Sequence, residues 1–286
     1  MRYQFIHTCA DGLPISGLCA YLDVSRSGYY DWLKRKPSPR AQEDQHLGDL
    51  IETEFHRHRD TYGSSRMCDR LRQLGRRHGR RRVSRLMAQR ALMARKKRRF
   101  VRTTVADPSR RPAPNLLNRE FTAEAPNRKW VSDITLIPSD EGDLYLAATM
   151  DLWSRRIVGW SIQHTMEEGL VQRAFDMAVL QRWPDAGLLH HSDQGSQYTA
   201  NGFREQLRQR QAVESNSRKG NVWDNAVMES FFSTLEMELL RQKRFRTCAE
   251  AIQEVFIYIE IFYNRQRMHS ALGGRSPAEF EAANGN

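Results

Sequence analysis

VSDITLIPSDEGDLYLAATMDLWSRRIVGWSI, residues 131–162, decides the fold. It holds three β-rich runs, VSDITLI at 131–137, YLAATMD at 145–151 and RIVGWSI at 156–162, the first two parted by the turn-forming SDEGD. They predict an antiparallel meander. Downstream the pattern alternates: a helix over about 167–182, a short strand in LLHHSD, a helix near 200–209 and a strand in VESNS. A helix follows from about Asn225 to Leu240, striped by Phe232, Leu235 and Leu239, and a last amphipathic helix spans roughly 248–263. Strands followed by alternating helix and strand imply an α/β layer fold.

Upstream the periodicity is helical. In LPISGLCAYLDVSRSGYYDWLKR, residues 13–35, Ile15, Cys19, Leu22 and Val24 precede Ser25, a candidate N-cap for a second helix bearing Tyr29, Trp32 and Leu33. A helix-turn-helix of this size reads a DNA groove or docks on the next module, and spacing does not choose. Leu47, Leu50, Ile51 and Phe55 form an amphipathic stripe, and Met67, Leu71 and Leu74 repeat it before Gly75 ends the helix. Val83, Leu86, Met87 and Ala91 mark a third helix that carries Arg80, Arg81, Arg82, Arg85 and Arg90, a second helix-turn-helix candidate with a groove-entering arginine face. From Arg95 to about Glu124 the periodicity vanishes, and Lys96, Lys97, Arg98 and Arg99 open a basic, proline-containing linker suited to tracking phosphates. The expected organisation is a helix-turn-helix over 1–43, a basic helical DNA-binding module over 44–103, the linker over 104–123 and a catalytic core with its C-terminal helix over 124–284.

Charge supports this division. The chain of 286 residues carries a net +11, yet Arg57 to Arg111 alone hold 20 basic and 3 acidic side chains, so the remainder is net acidic. So lopsided a segment is the electrostatic footprint of a nucleic-acid binder rather than a solvated face. Cys9, Cys19, Cys68 and Cys248 lie too far apart for a zinc cage and read as reduced, buried, small hydrophobes. No apolar run spans a bilayer and no signal sequence opens the chain, which points to the cytoplasm and away from membranes.

Three acidic residues carry the chemistry. Asp133 interrupts an apolar strand, where an uncompensated charge costs several kcal/mol. Asp193 follows a strand and precedes the turn QGS, the lip of a ligand site in open α/β sheets, and Glu229 looks in from a helix. Oxygen-only ligands suit Mg²⁺ or Mn²⁺, and two such ions would activate the attacking oxygen and stabilise the leaving oxygen at phosphorus. Any one of these residues alone reads more naturally as a solvated or hydrogen-bonded aspartate or glutamate.

Together they resemble a family. Thirty-five residues separate Asp193 from Glu229, the spacing of the DDE cores of retroviral integrases and bacterial transposases. The strings W-V-S-D-I-T around Asp133, H-S-D-Q-G-S-Q-Y around Asp193 and S-R-K-G-N-V-W-D-N-A-V-M-E-S-F-F around Glu229 resemble the second-frame transposase of two-reading-frame insertion sequences. The tail F-Y-N-R-Q-R-M-H-S-A-L-G with S-P-A-E-F, and Y-G-S-S-R with G-R-R-R-V-S-R-L-M upstream, extend the similarity over nearly the whole chain. The resemblance implies a ribonuclease-H-like core, a mixed sheet with helices on both faces, preceded by small all-α helix-turn-helix modules. It further implies Asp133, Asp193 and Glu229 as catalytic metal ligands for two Mg²⁺ ions, with Mn²⁺ as substitute. The implied activity is cleavage of insertion-sequence ends and strand transfer through a 3′-hydroxyl. The implied partners are DNA, an upstream-frame helix-turn-helix protein or a fusion with it, and further copies of the chain, in the bacterial nucleoid.

One position departs from the family pattern: seven residues after Glu229, where a basic residue is usual, stands Glu236. Seven residues are about two helical turns, roughly 10 Å, so its carboxylate would face the phosphates unless Arg241, Lys243 or another base substitutes. Asn225 reads as a cap for the helix of Glu229 or as an outer support of the metal site, with capping favoured. Lys219 reads equally as a phosphate contact or a solvated loop lysine. His190 and His191, adjacent in a strand, point to opposite faces and cannot both bind a metal. Trp153 and Trp160 read as core, whereas Trp130 and Trp223 are open between core and base stacking. Tyr263, Asn264, Arg265 and Arg267 hold DNA or tie the tail to the core, the structural role being favoured. Two rival readings use the same residues: a non-catalytic DNA-binding regulator with a degenerate core, which Glu236 encourages, and a hybrid-cleaving nuclease, which the helix-turn-helix candidates discourage.

Overall fold

The structure, a computed structural model, describes residues 2–9, 13–94, 111–219 and 221–285. They group into two compact units, Met1–Thr53 and Glu54–Asn286. In the first, α1 (Arg2–Cys9), α2 (Ile15–Tyr21) and α3 (Arg26–Lys34) close around Ile6, Cys19 and Tyr29. Ser25 caps α3 as its sequence suggests, its Oγ accepting from Gly28 N at 3.0 Å. Helix α4 (Pro39–Arg57) contains the division between the units.

The second unit begins with the end of α4, then α5 (Ser64–Gln73) and α6 (Arg80–Gln89), packed through Met67, Leu71, Val83, Leu86 and Met87. Gly75 takes φ +76° just past α5, a conformation that a side chain would strain. Leu74 is exposed rather than part of the α5 stripe. The link between α4 and α5 is tied to the far end of the chain. Met268 N donates to Tyr62 Oη at 2.9 Å, and the Arg59 guanidinium lies 5.1 Å from the Phe262 ring centre.

The sheet follows the expected meander. Strands β1 (Lys129–Ile137), β2 (Leu144–Asp151) and β3 (Ile157–Gln163) pair antiparallel, while β4 (Leu189–Ser192) and β5 (Val213–Asn216) add in parallel on the other side of β1. The strand order is β3-β2-β1-β4-β5. Side chains alternate across it. Val131, Ile137, Leu144, Leu146 and Ala148 pack with Met228, Phe232 and Tyr258 from the later helices. Trp130, Ala147 and Val158 face the other way, against α7 (Glu168–Arg182) and α8 (Asn201–Gln209). The result is a mixed sheet with helices on both faces. At Gly159 a Cβ would collide with the backbone of Ala174 and Ala178, so glycine there lets α7 lie directly on β3.

The long helix expected from Asn225 to Leu240 is α-helical over α9 (Ala226–Leu235) and then widens into a π-helical turn, Glu236–Leu240. The next does the same: α10 (Cys248–Phe256) passes into a π-helical segment, Ile257–Tyr263. Asn264 closes the domain by clasping edge strand β3, its Oδ1 accepting from Ile157 N and its Nδ2 donating to Ile157 O, both at 3.0 Å. Arg267 is buried and pairs with Glu238 at 2.9 Å, so Asn264 and Arg267 tie the tail to the core, while Arg265 is exposed. The last helix, α11 (Pro277–Asn284), starts from a capping box between Ser276 and Glu279. All four cysteines are free, but only Cys19 and Cys248 are buried; Cys9 and Cys68 are half-buried. Among the described residues no helix is long and apolar enough to cross a membrane.

Candidate active site

Asp133 sits mid-strand in β1 opposite Ala148, on the sheet face that α9 covers. It is partly buried, and its Oδ1 accepts from Ile134 N at 2.8 Å. Burial, with the charge of Asp193 next and that of Glu229 behind it, pushes its carboxyl well above the ordinary range. Three carboxylates from β1, the end of β4 and the first turn of α9 are thus close enough to feel one another.

Asp193 follows β4 directly, where the chain turns and Gly195 N donates to its Oδ1 at 2.9 Å. Glu229 is exposed, one turn into α9. As the side chains stand, no group of three or more His, Cys, Asp or Glu among the described residues is arranged to hold a metal ion. The donor set nevertheless fits a hard divalent cation: it is all oxygen, and its crowded negative charge is what such a cation relieves.

The turn before α9 is fixed from below. Asn225 does not cap the helix; its Nδ2 reaches instead to Ser132 O at 3.1 Å, and its buried Oδ1 has no partner. Capping gives way because the preceding turn, Val222–Asn225, is already helical and aims the amide at β1. Ser132 Oγ in turn bonds Thr149 Oγ1 and His190 Nε2, each at 2.8 Å. His191 points to the opposite face and bonds the hydroxyls of Ser215 and Ser217. Burial holds His190 down to about 3 and His191 to about 4, so both are neutral supports. Tyr198 Oη, buried without a partner, is pushed well up by burial and by the charges of Asp133 and Asp193.

Asp224 is the residue that sequence reasoning passed over. Fully buried, it accepts from Arg218 (Nη2 to Oδ1 2.7 Å, Nε to Oδ2 2.8 Å), from Arg119 Nε at 2.9 Å and from Asn115 Nδ2 at 2.9 Å. Arg218 foremost, then Arg119, holds its carboxyl below the usual carboxylate range. The clasp secures a stretch without helical or strand periodicity: Ala113 N donates to Asn216 Oδ1 at 2.8 Å and Leu116 N to Ser215 Oγ at 2.9 Å. Its signal in the sequence, a lone Asp between Trp223 and Asn225, is legible only once Arg119 is known to reach it.

Glu236 is compensated within its own π-helical turn, its Oε1 2.8 Å from Arg241 Nε. Lys243 is engaged by Glu250 and Glu254 at 2.9 and 2.8 Å. Of the residues expected at DNA, Arg80, Arg81 and Arg85 are exposed on α6, Arg82 is partly buried there, and Lys219 is exposed beside Arg218. Lys96, Lys97, Arg98 and Arg99 lie outside the described residues. Trp130 is buried against Phe175, Trp153 packs on Phe280, and Trp160 donates to Glu260 at 2.9 Å. Trp223 stands out in solvent at 67% exposure.

Comparison with known families and proteins agrees with this architecture. Residues 123–222 and 229–284 match the Integrase core domain, and residues 42–100 match an HTH-like domain. The chain is 43% identical over 252 residues to the transposase for insertion sequence element IS904 of Lactococcus lactis, covering 88% of this chain and all of that one. It is 37% identical over 286 residues to transposase InsF for insertion sequence IS3A of Escherichia coli, covering 99% of each. It is 45% identical over 263 residues to a 31 kDa protein of insertion element IS600 of Shigella sonnei, covering 92% of this chain and 97% of that one. Among solved structures the HTLV-2 integrase catalytic core domain in complex with magnesium is similar at 16% identity and TM-score 0.41, covering 55% of this chain and 97% of that one.

Proposed function

The chain belongs to the insertion-sequence transposases with an integrase core and acts in DNA transposition, and from this premise we propose that Asp133, Asp193 and Glu229 are its catalytic carboxylates. The observation that carries the proposal is the placement of Asp133 in β1, Asp193 directly after the neighbouring β4 and Glu229 in the first turn of α9, which packs on β1, so that the charges of the latter two help raise the carboxyl of Asp133. Held by these three side chains, two Mg²⁺ ions, or Mn²⁺ in their place, would supply Lewis acidity to the attacking and leaving oxygens of in-line phosphoryl transfer.

The chain's own residues do the rest. The Ile134 and Gly195 amides each donate to one oxygen of Asp133 and of Asp193, which fixes how the two carboxylates are turned. Asn225 locks the start of α9, and with it Glu229, to the strand of Asp133. Arg80, Arg81, Arg82 and Arg85 on α6, with Lys96, Lys97, Arg98 and Arg99 after it, neutralise phosphates and orient the end sequence, and Lys219 holds phosphate at the core. Modules at about 1–43 and 44–103 and a basic linker at 104–123 divide this labour from the core at 124–284. The working assembly is several copies on paired ends, joined by the upstream-frame helix-turn-helix protein or fused to it, in the bacterial cytoplasm on the nucleoid. The Glu236–Arg241 pair neutralises the carboxylate that departs from the family pattern, which supports a catalytic over a regulatory core.

Labelled element-end duplexes with Mg²⁺ or Mn²⁺ test this in the presence of the upstream partner. Wild type yields 3′-cleaved and strand-transfer products, and Asp133→Ala, Asp193→Ala and Glu229→Ala yield none. Equal products from all four proteins would refute the assignment.

A further inference from the structure

We infer that Trp223, Arg218 and Arg119 form a landing site for unpaired nucleotides of a DNA strand beside the carboxylates. The inference rests on the reading of the core as acting on DNA and concerns how the strand is held rather than how it is cut. Trp223 lies on the helical turn Val222–Asn225, six residues before Glu229, and is 67% exposed. Trp130, Trp153 and Trp160 each pack edge-on against a phenylalanine, Phe175, Phe280 and Phe256 in turn, whereas Trp223 makes no ring contact among the described residues. An indole left in water forgoes the large apolar burial that usually decides its place, and a base would restore that burial.

The surroundings specify the occupant. Asp224 Oδ1 receives both Arg218 Nη2 and Arg119 Nε, so the two guanidiniums are held side by side by one buried carboxylate. That carboxylate cancels only one of their two charges, and exposed Lys219 adds another. Arg119 commits Nε alone to Asp224, which leaves the four hydrogens of its terminal nitrogens for phosphate oxygens. Both guanidine side chains are about half exposed, at 45% and 50%. An exposed aromatic ring next in the chain to the carboxylate that fixes two cations is the composition that takes a single strand, the ring receiving a base and the cations its phosphates. A duplex keeps its bases stacked on one another and offers this ring nothing. The same turn is anchored to Ser132, next to Asp133, through Asn225, so a nucleotide held at Trp223 arrives at the carboxylates.

The test uses the full chain in EDTA and reads fluorescence anisotropy of a labelled oligothymidylate and of a duplex of equal length. Trp223→Ala is expected to weaken single-strand binding about tenfold while leaving duplex binding within about twofold, and Trp223→Phe to restore most of the loss. Arg119→Gln is expected to lower the slope of log K against log salt for the single strand by about 0.7. Both probes are read by binding alone, in EDTA and with no cleavage step, so a failure of the chemistry cannot pass for a failure of the landing site. Unchanged single-strand binding by Trp223→Ala would overturn the inference. So would an equal loss on both probes by a variant with wild-type circular dichroism and melting temperature.

Discussion

Asn225 donates its Nδ2 hydrogen to the main-chain carbonyl of Ser132 at 3.1 Å, and this bond joins the start of α9 to the residue before Asp133. Asn225→Ala should cost about 1–3 kcal/mol of stability. It should also slow metal-dependent end cleavage by about tenfold or more, because small displacements of a catalytic group are costly. Single-turnover cleavage and a urea melt on one preparation measure both. A destabilised variant that cleaves at the wild-type rate would show that the bond serves folding alone.

Charge crowding at Asp133 sets a second expectation. Asp133→Asn should raise the melting temperature of metal-free protein by a few degrees, since burial and two neighbouring carboxylates oppose its ionised form. Added Mg²⁺ should stabilise wild type and leave Asp133→Asn unmoved, because only a site that binds in the folded state shifts the melt. Scanning calorimetry with and without Mg²⁺ decides, and a lower metal-free melting temperature for the variant would count against crowding.

Acid sensitivity should arise from buried imidazoles. His58 lies flat on Tyr62, 4.1 Å between centroids, and burial holds it down to about 4, near the value of His191. An unfolded histidine titrates near 6.5, so between about 4 and 6.5 the unfolded chain binds more protons and stability rises with pH. Asp151, pushed up to about 6 by burial, has the opposite slope above an unfolded value near 3.9. Urea midpoints at pH 5 and pH 7 should therefore differ less in His58→Phe than in wild type, and more in Asp151→Asn.

The Glu236–Arg241 pair is half-exposed and contributes no more than about 1 kcal/mol to stability. Its effect should appear at DNA. Arg241→Ala uncovers the Glu236 carboxylate and should weaken end-duplex binding a few-fold at low salt, and Glu236→Gln in the same background should restore it. A gel-shift titration over a salt series reads both, and an affinity indifferent to either change would place residue 236 away from the DNA.

Glu238 and Arg267 are a different kind of pair. Both are buried, at 0% and 5% exposure, and Tyr258 Oη adds a bond to Glu238 at 2.9 Å. Removing one partner leaves a buried charge, so Glu238→Gln should cost about 3–5 kcal/mol in a urea melt. Glu238→Met with Arg267→Leu should recover most of that loss.

Much of the fold and of the site is legible in the sequence. The meander, the following alternation and the positions of Asp133, Asp193 and Glu229 on strand, strand end and helix all follow from local pattern. Less legible was whatever depended on groups distant in sequence. Asn225 reads as a cap because capping is a local property, while its bond to Ser132 spans 93 positions. Asp224 reads as an ordinary loop aspartate, since Arg119 lies 105 positions away. The π-helical turns at Glu236–Leu240 and Ile257–Tyr263 leave no mark on an apolar stripe that periodicity alone detects. The capping box at Ser276–Glu279, by contrast, is written locally as S-P-A-E.

The Asn264 clasp on Ile157 also orders the events of synthesis. The meander is made of neighbours and can pair as soon as it leaves the ribosome, yet one of its faces stays bare until α9 and α10 are made. Edge strand β3 gains its side-chain clasp only when Asn264 emerges, more than a hundred residues after it was translated. The arginine-rich helices finish long before that. A growing or prematurely stopped polypeptide therefore holds its arginine-rich helices before it holds a closed core, and carries their positive charge before the three carboxylates are brought together.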